Sequence, residues 1–339
     1  MKILIDTNHP ADTHFLKNLM RLLKNNGHEI IFVTSDKDIN IDLCNTLNLD
    51  YEFIGSYGKN LMLKALMVPV MAWRLIKISL RVKPDILIGM GSRFVHAGFI
   101  LSIPTITFAH TEHASEQNIL FTPFATKIIS PITFKYDYGK KHIKLNSFHE
   151  LSYMTPKYFN PNKNILKDLN INKDDQYSIV RFVSWNASHD VGKKGLSKKE
   201  KITIVAELLK YGNVFISSEG DLPDEIKQYE FPLKANRLHD ALAYSSLYIG
   251  EGATMASESA CIGIPAIYTN PLIMCYVKDQ IENDLVYWEL EIDDILKRII
   301  SIFNTPKEEF KQNSSDYISS KIDLNEWLID FIENKKYLK

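Results

Sequence analysis

Tyr248–Thr269 reads Y-I-G-E-G-A-T-M-A-S-E-S-A-C-I-G-I-P-A-I-Y-T, and the order of its elements decides the fold class. Leu247 to Ile249 is a short apolar run that predicts a buried strand. Gly250 and Gly252 make a tight, open turn, and the small-residue segment from about Ala253 to Ile262 predicts a helix. Gly263 stops that helix and Pro265 prevents its continuation. Ala266 to Tyr268 predicts the next strand. Strand, glycine turn, helix and strand in that order form a parallel α/β unit. The helix start exposes unpaired N–H groups and the positive end of a dipole, which suits a diphosphate. Glu258 falls about one helical turn beyond Thr254 on the same face, where a carboxylate can accept bonds from two sugar hydroxyls. A solvated helix carboxylate and an ordinary turn explain the same letters, so spacing alone leaves both readings open.

Around this stretch the chain has 339 residues, enough for two domains of ordinary size, and 45% hydrophobic residues to build their cores. A net charge of -1 and an isoelectric point near 6.8 exclude a bulk electrostatic case for nucleic acid. Cys44, Cys261 and Cys275 are scattered and form no C-x-x-C pair, so they read as buried free thiols in a reducing compartment. The start, M-K-I-L-I-D, meets charge too early for a signal peptide, and no apolar run is long enough to span a bilayer. The expected location is the cytoplasm.

In chain order, Lys2–Ile5 and Glu29–Thr34 predict strands flanking a helix with Phe15, Leu16, Leu19, Met20, Leu22 and Leu23 at helical spacing. The loop after the first strand then lies at the C-terminal sheet edge, where open α/β sheets bind ligands. It brings Asp6, Asn8, His9, Asp12 and His14 together. A neutral His14 in the first helical turn can take a proton from an attacking hydroxyl; capping by Asp12 or Thr13 with a surface His14 is the plainer alternative. Asp36-Lys37-Asp38 matches a metal–diphosphate pattern but reads better as a helix start. Lys59–Lys83 carries Lys64, Arg74, Lys77 and Arg81, no acid, and Pro69 in its middle. It is either a kinked core helix with its basic face in water or a helix lying on an anionic membrane.

Asp85–Ile88 predicts a strand, followed by Gly89-Met90-Gly91-Ser92. Phe94 stands where a dinucleotide fingerprint needs its third glycine, so no NAD site is expected, while Ser92 and Arg93 are available to a ligand. Thr105–Ala109 leads into H-T-E-H-A-S-E-Q-N, the densest titratable cluster: His110, Glu112, His113, Glu116, Gln117 and Asn118. It lacks the paired histidines of a helical zinc site and suits sugar hydroxyls or acid–base work, or simply a capped helix start. Asn146–Gln176 reads as a linker. Ser178–Ser184 predicts a fresh first strand carrying Arg181, then W-N-A-S-H-D-V-G-K-K-G with His189; His239 precedes a helix at Ala241–Tyr244. The expected layout is a first domain over 1–150, a linker over 151–176, a second domain over 177–320, and a terminal helix in 321–339 packing back on the first domain.

The paired α/β halves, the G-E-G-A-T-M-A-S-E-S-A-C-I-G-I-P run and the N-terminal strand–loop–helix with His14 resemble the GT-B superfamily. Nearer still, I-D-T-N-H-P-A-D-T-H-F, T-E-H-A-S-E-Q-N, F-H-E-L-S-Y and R-F-V-S-W-N-A-S-H-D-V-G are similar to an uncharacterised family of GT-B-like proteins. That family is related to UDP-N-acetylglucosamine 2-epimerase and to the lipid-linked N-acetylglucosaminyltransferase of peptidoglycan synthesis. The resemblance covers nearly the whole chain and implies two Rossmann-like domains facing a cleft. It implies Glu258 at the nucleotide ribose, Gly252, Ala253 and Thr254 at the diphosphate, and Arg181 at the donor phosphate. His189 and His239 would stand on the same nucleotide-sugar side. His14 falls at the acceptor loop, with Asp12 and Glu112 as further acid–base candidates. Asn8, Ser92, Arg93, His113, Gln117 and Asn118 would serve acceptor or sugar. Where the epimerase carries a catalytic Asp after its fourth strand, Ser92-Arg93 stand here, and Asn8–His14 replaces the G-G-T-G-G-H loop of the peptidoglycan enzyme.

The expected function is a metal-independent glycosyltransferase using a nucleotide-diphosphate sugar, without other cofactor, in surface polysaccharide or glycoconjugate biosynthesis. Its partners would be the nucleotide-sugar and a glycan or lipid-linked acceptor, with peripheral contact at the inner membrane face through Lys59–Lys83. The alternatives are a nucleotide-sugar 2-epimerase and a non-catalytic nucleotide-sugar-binding protein.

Overall fold

Ile3, Leu4 and Ile5 are fully buried, as a strand covered on both faces requires. They begin the first of two all-parallel sheets in a computed structural model describing residues 1–37, 39–56, 61–112, 115–172, 175–183 and 195–338. The side chains of 61–66, 68 and 115–117 lie outside the description.

The chain divides into two compact units, Met1–Tyr153 with Ile322–Lys339, and Met154–Lys321. In the first, β1 (Lys2–Thr7), α1 (Pro10–Asn25), β2 (Glu29–Asp36), α2 (Asn40–Thr46), β3 (Glu52–Ser56) and α3 (Leu61–Val82) are followed by β4 (Ile86–Gly89). Then come α4 (Arg93–Leu101), β5 (Thr105–Phe108), α5 (Ser115–Phe121), β6 (Lys127–Pro131) and β7 (His142–Leu145). The seven strands lie in the order β3-β2-β1-β4-β5-β6-β7. Strand order reverses between β1 and β4, whose register sets Asp6 beside Gly89. Such a reversal opens a crevice at the strands' C-terminal ends.

The second unit contains α6 (Asn164–Asp168), β8 (Tyr177–Phe182), α7 (Lys198–Leu208), β9 (Asn213–Ser218), α8 (Leu238–Tyr244), β10 (Leu247–Gly250) and α9 (Ala253–Cys261). It continues with β11 (Ala266–Tyr268), α10 (Cys275–Glu282), β12 (Val286–Trp288), α11 (Ile292–Phe303) and α12 (Lys307–Ser319). Its sheet runs β12-β11-β10-β8-β9, a flavodoxin-like order whose reversal falls between β8 and β10, with Arg181 beside Gly250. Val180, Phe182, Ile249 and Ile267 meet Ile204, Val205, Leu208, Ile295 and Ile299 of α7 and α11 in its core. Helix α13 (Leu324–Glu333) belongs to the first unit, where Asn325 Nδ2 donates to Ser152 O at 2.9 Å.

One reading changes with the structure. The stretch from Met154, read from its Asn and Lys content as linker, is part of the second unit: α6 and the turn after it bury Ile165, Leu169 and Ile171. Three apolar residues suffice to dock it, and polar neighbours hide them in the sequence. Helix α3 carries Pro69 inside it and buries Met71, Leu75 and Ser79 at spacings of four. Among the described residues no helix is long and apolar enough to cross a membrane, and no group of histidine, cysteine and acidic residues has metal-binding geometry. Cys44, Cys261 and Cys275 are buried free thiols.

Candidate functional site

Each reversal of strand order carries its own cluster. In the first unit, α1 starts with Pro10 in its first turn and His9 as the capping residue. His9 Nδ1 accepts from the backbone N–H of Ala11 at 3.2 Å, while Asp12 Oδ2 accepts from the N–H groups of Asn8 (3.2 Å) and His9 (3.0 Å). This is a reciprocal capping box, with histidine in the usual place of serine. Burial nevertheless pushes the Asp12 carboxyl above the usual range, with the nearby His9 pulling against it. One turn on, the half-buried His14 receives Lys17 Nζ at Nδ1 (3.1 Å) and stacks on Tyr153 at 5.5 Å.

Arg93 is the residue whose sequence expectation changes most. Only 4% exposed, it donates Nε to Asp6 Oδ2 (2.7 Å), Nη2 to Asp6 Oδ1 (2.5 Å) and the Thr7 carbonyl, and Nη1 to Ser35 Oγ (2.9 Å). This two-pronged pair links α4 to the end of β1 beneath the loop and makes Arg93 a clamp of the crevice floor. Burial raises the Asp6 carboxyl and the guanidinium opposes it. The close passage beneath also explains Gly89: a Cβ there would come 2.4 Å from the Asp6 carbonyl oxygen. Asn8 Oδ1 accepts from Ser35 Oγ at 2.7 Å, and Ser92 stands at the start of α4.

Beyond β5, His110 lies 4.2 Å from His149, which stacks on Phe15 at 4.0 Å. Burial, with His9 adding to it, pushes His110 down to about 4, and burial with His110 alongside holds His149 well below the ordinary histidine value. Both are neutral near pH 7, and His110 is too weak a base to accept a proton efficiently there. Glu112 and Asn118 are buried nearby in sequence, and Asn118 Nδ2 donates to the Thr111 carbonyl at 3.3 Å. His113 and the Gln117 side chain lie outside the described residues.

In the second unit, Gly250 and Gly252 play different parts. A Cβ on Gly250 would stand 2.5 Å from Tyr248 Oη and 2.7 Å from the Arg181 carbonyl, so the strand end admits only glycine. At Gly252 the nearest atoms would be 3.5 to 3.9 Å away, and φ is -90°. Among the described residues nothing requires glycine there. Between them, Glu251 is 1% exposed and accepts from the N–H groups of Val183 (3.1 Å) and Leu196 (2.9 Å). Ala253 and Thr254 open α9 half-exposed, and among the described residues no side chain caps that helix start.

Glu258 is buried one turn further, and its Oε1 lies 3.0 Å from His239 Nε2, reached from the first turn of α8. Arg181, 23% exposed, donates to Ser217 Oγ (2.5 Å) and Glu219 Oε1 (2.7 Å) at the end of β9. The structure therefore brings Arg181, Gly252, Ala253, Thr254, Glu258 and His239 to one sheet edge. His189 lies outside the described residues. Sequence reasoning passed over Glu251 because two glycines drew the attention, and over His149 although F-H-E-L-S-Y was a recognisable segment. It counted Asp6 as part of a loop without seeing its guanidinium partner.

Residues 1–327 match the family described as "Protein of unknown function (DUF354)". The chain belongs to this family. A protein of Methanocaldococcus jannaschii described as uncharacterized is 27% identical over 314 residues, covering 88% of this chain and 91% of its own. Among solved structures, Staphylococcus aureus MnaA with UDP superposes with a TM-score of 0.72 at 12% identity, covering 100% of this chain and 97% of that one. The UDP-GlcNAc 2-epimerase of Neisseria meningitidis bound to UDP-GlcNAc gives 0.67 at 11%, covering 99% and 100%. The spinosyn rhamnosyltransferase SpnG gives 0.62 at 13%, covering 98% and 100%. At these identities the likeness shows the fold: two Rossmann-like domains of the GT-B kind, shared by epimerases and glycosyltransferases.

Proposed function

We propose that the chain is a metal-independent GT-B glycosyltransferase. It takes a nucleotide-diphosphate sugar and passes the sugar to a glycan or lipid-linked acceptor, in surface polysaccharide or glycoconjugate synthesis. The start of α9 carries this reading. Among the described residues no side chain caps it and none crowds a Cβ at Gly252; it sits at the strand reversal and has a buried carboxylate one turn on. That combination suits a diphosphate on the N–H groups of Ala253 and Thr254 and a ribose on Glu258. His239 would hold the carboxylate in place, and Arg181 would turn from Glu219 to a phosphate.

On the acceptor side, a hydroxyl oxygen would attack the anomeric carbon as its bond to the diphosphate breaks. The proton would pass to His14, Asp12 or Glu112. Asp12 has its carboxyl raised by burial and both capping bonds on Oδ2, which leaves Oδ1 as the oxygen to meet that proton. The leaving diphosphate would be stabilised by the helix N-terminus, an effect worth roughly 3 kcal/mol per donor.

Glu258→Ala should weaken UDP binding by about 1.5–3 kcal/mol, roughly tenfold to a hundredfold in Kd. Calorimetry that finds UDP affinity unchanged would remove the assignment. Nucleotide-sugar 2-epimerisation is the second reading, favoured by the epimerase names of neighbours at TM-scores of 0.70 and 0.67. Against it, Arg93 occupies the loop after β4 and is engaged with Asp6. Incubation with UDP-GlcNAc in heavy water separates the two: epimerisation incorporates deuterium at sugar C2 and transfer does not.

A further inference from the structure

Helices α3, α4 and α5 of the first unit border an apolar groove of about 620 Å³. Trp73, Phe99, Ile100, Ile119 and Leu120 line it and are each more than half exposed, between 54% and 69%. Phe124 packs edge-on against Phe99 (5.0 Å) and His96 (5.1 Å), and His96 Nε2 lies 2.8 Å from the Leu120 carbonyl. The groove is thus a built surface of interlocked rings. Large apolar side chains held together in water mark a face that something covers.

Charge says what covers it. Between Glu52 and Asp85 there is no acidic residue and there are six basic ones, Lys59, Lys64, Arg74, Lys77, Arg81 and Lys83. Lys77 Nζ rests 3.5 Å above the Trp73 ring, on the rim of the groove. Lys141 reaches the Thr122 and Pro123 carbonyls beside Phe124. Arg81 is paired with Glu52, yet remains 62% exposed. A second copy docking here by two-fold symmetry would set this basic helix against itself. An apolar protein segment would leave the cations unanswered. An anionic bilayer answers both: acyl chains meet the rings, and headgroup phosphates meet Lys77 at the rim.

We propose that this face docks the protein on an anionic lipid surface, with Trp73, Phe99 and Ile100 entering the interface and Lys77 meeting the headgroups. Docking does not rest on sugar transfer, because a chain unable to bind UDP would still bind vesicles.

Sedimentation with large vesicles tests this directly. Vesicles of phosphatidylcholine alone should bind little, and vesicles with about one-third phosphatidylglycerol should bind at low salt and release the protein about tenfold at high salt. Lys77→Glu changes the charge of the rim by two units and should cut binding roughly 25-fold, at about fivefold per unit. Phe99→Ser with Ile100→Ser should abolish pelleting while leaving UDP affinity and the melting temperature unchanged, since both side chains are exposed. Equal binding to both vesicle types, or none to the anionic ones at low salt, would overturn the proposal. So would a dimer in sedimentation equilibrium that the Phe99→Ser and Ile100→Ser changes dissociate.

Discussion

At the scale of the residue, identical letters do different physical work. Gly250 and Gly252 are two positions apart in one turn, yet only Gly250 is crowded by backbone. Gly250→Ala should cost about 1–3 kcal/mol, because the Arg181 carbonyl cannot give way. Gly252→Ala should leave stability unchanged or raise it by about 0.4–1 kcal/mol through the unfolded chain. If a diphosphate seats on α9, the same methyl should weaken UDP about tenfold or more, since it stands over the N–H groups that hold the anion. Urea unfolding reads the first pair of effects and calorimetry the last; unchanged UDP affinity in Gly252→Ala would place the anion elsewhere. Asp6 and Arg93 show the same dependence on surroundings. A surface Arg–Asp pair contributes little, whereas here one partner is 0% and the other 4% exposed, so neither charge can be left alone.

At the scale of the element, Glu251 fastens the end of β8 and the approach to α7 to the turn before α9. It does so with two backbone N–H groups on one buried carboxylate. Losing two bonds to a charged acceptor, partly re-solvated, should cost Glu251→Ala about 2–4 kcal/mol. In Glu251→Gln one acceptor oxygen becomes a donor facing an N–H, so at least half of that loss should persist. Urea midpoints of the two variants check this, and a Gln variant as stable as the parent would refute it. Helix α9 also shows why its start stays open. Helix α1 is closed by His9 and Asp12, and α7 by Ser197 with Glu200, but among the described residues no side chain caps α9. N–H groups at a helix start beside the reversal of the second sheet are what an anionic ligand would use.

At the scale of the whole molecule, the first unit is completed only by the last residues of the chain. Leu324, Leu328, Phe331 and Ile332 of α13 are at most 4% exposed, Asn325 is buried against Ser152, and His28 and Asn26 reach Glu333. Burial of four such side chains contributes about 1.5–3 kcal/mol each, comparable with the whole stability of a domain at about 5–15 kcal/mol. A chain ending at Lys321 should therefore fail to fold its first unit. Proteolysis should degrade residues 1–153 while the second unit resists. A truncated chain with full native resistance would show that α13 is an accessory.

The sequence by itself determined the class of architecture. Apolar runs at Leu247–Ile249 and Ala266–Tyr268, stopped by Gly263 and Pro265, are local signals, and strand and helix form where they were read. The family resemblance also marked Arg181, Glu258 and His239, which the fold gathers at one edge. Tertiary structure alone decided the rest. That Arg93 belongs to Asp6, 87 positions away, that His149 shares its burial with His110, and that Glu251 holds Val183 and Leu196 are pairings across long separations. So is the exposure of Trp73, Phe99 and Leu120. Periodicity reports which face of an element is apolar; only the packed neighbours determine whether that face is covered.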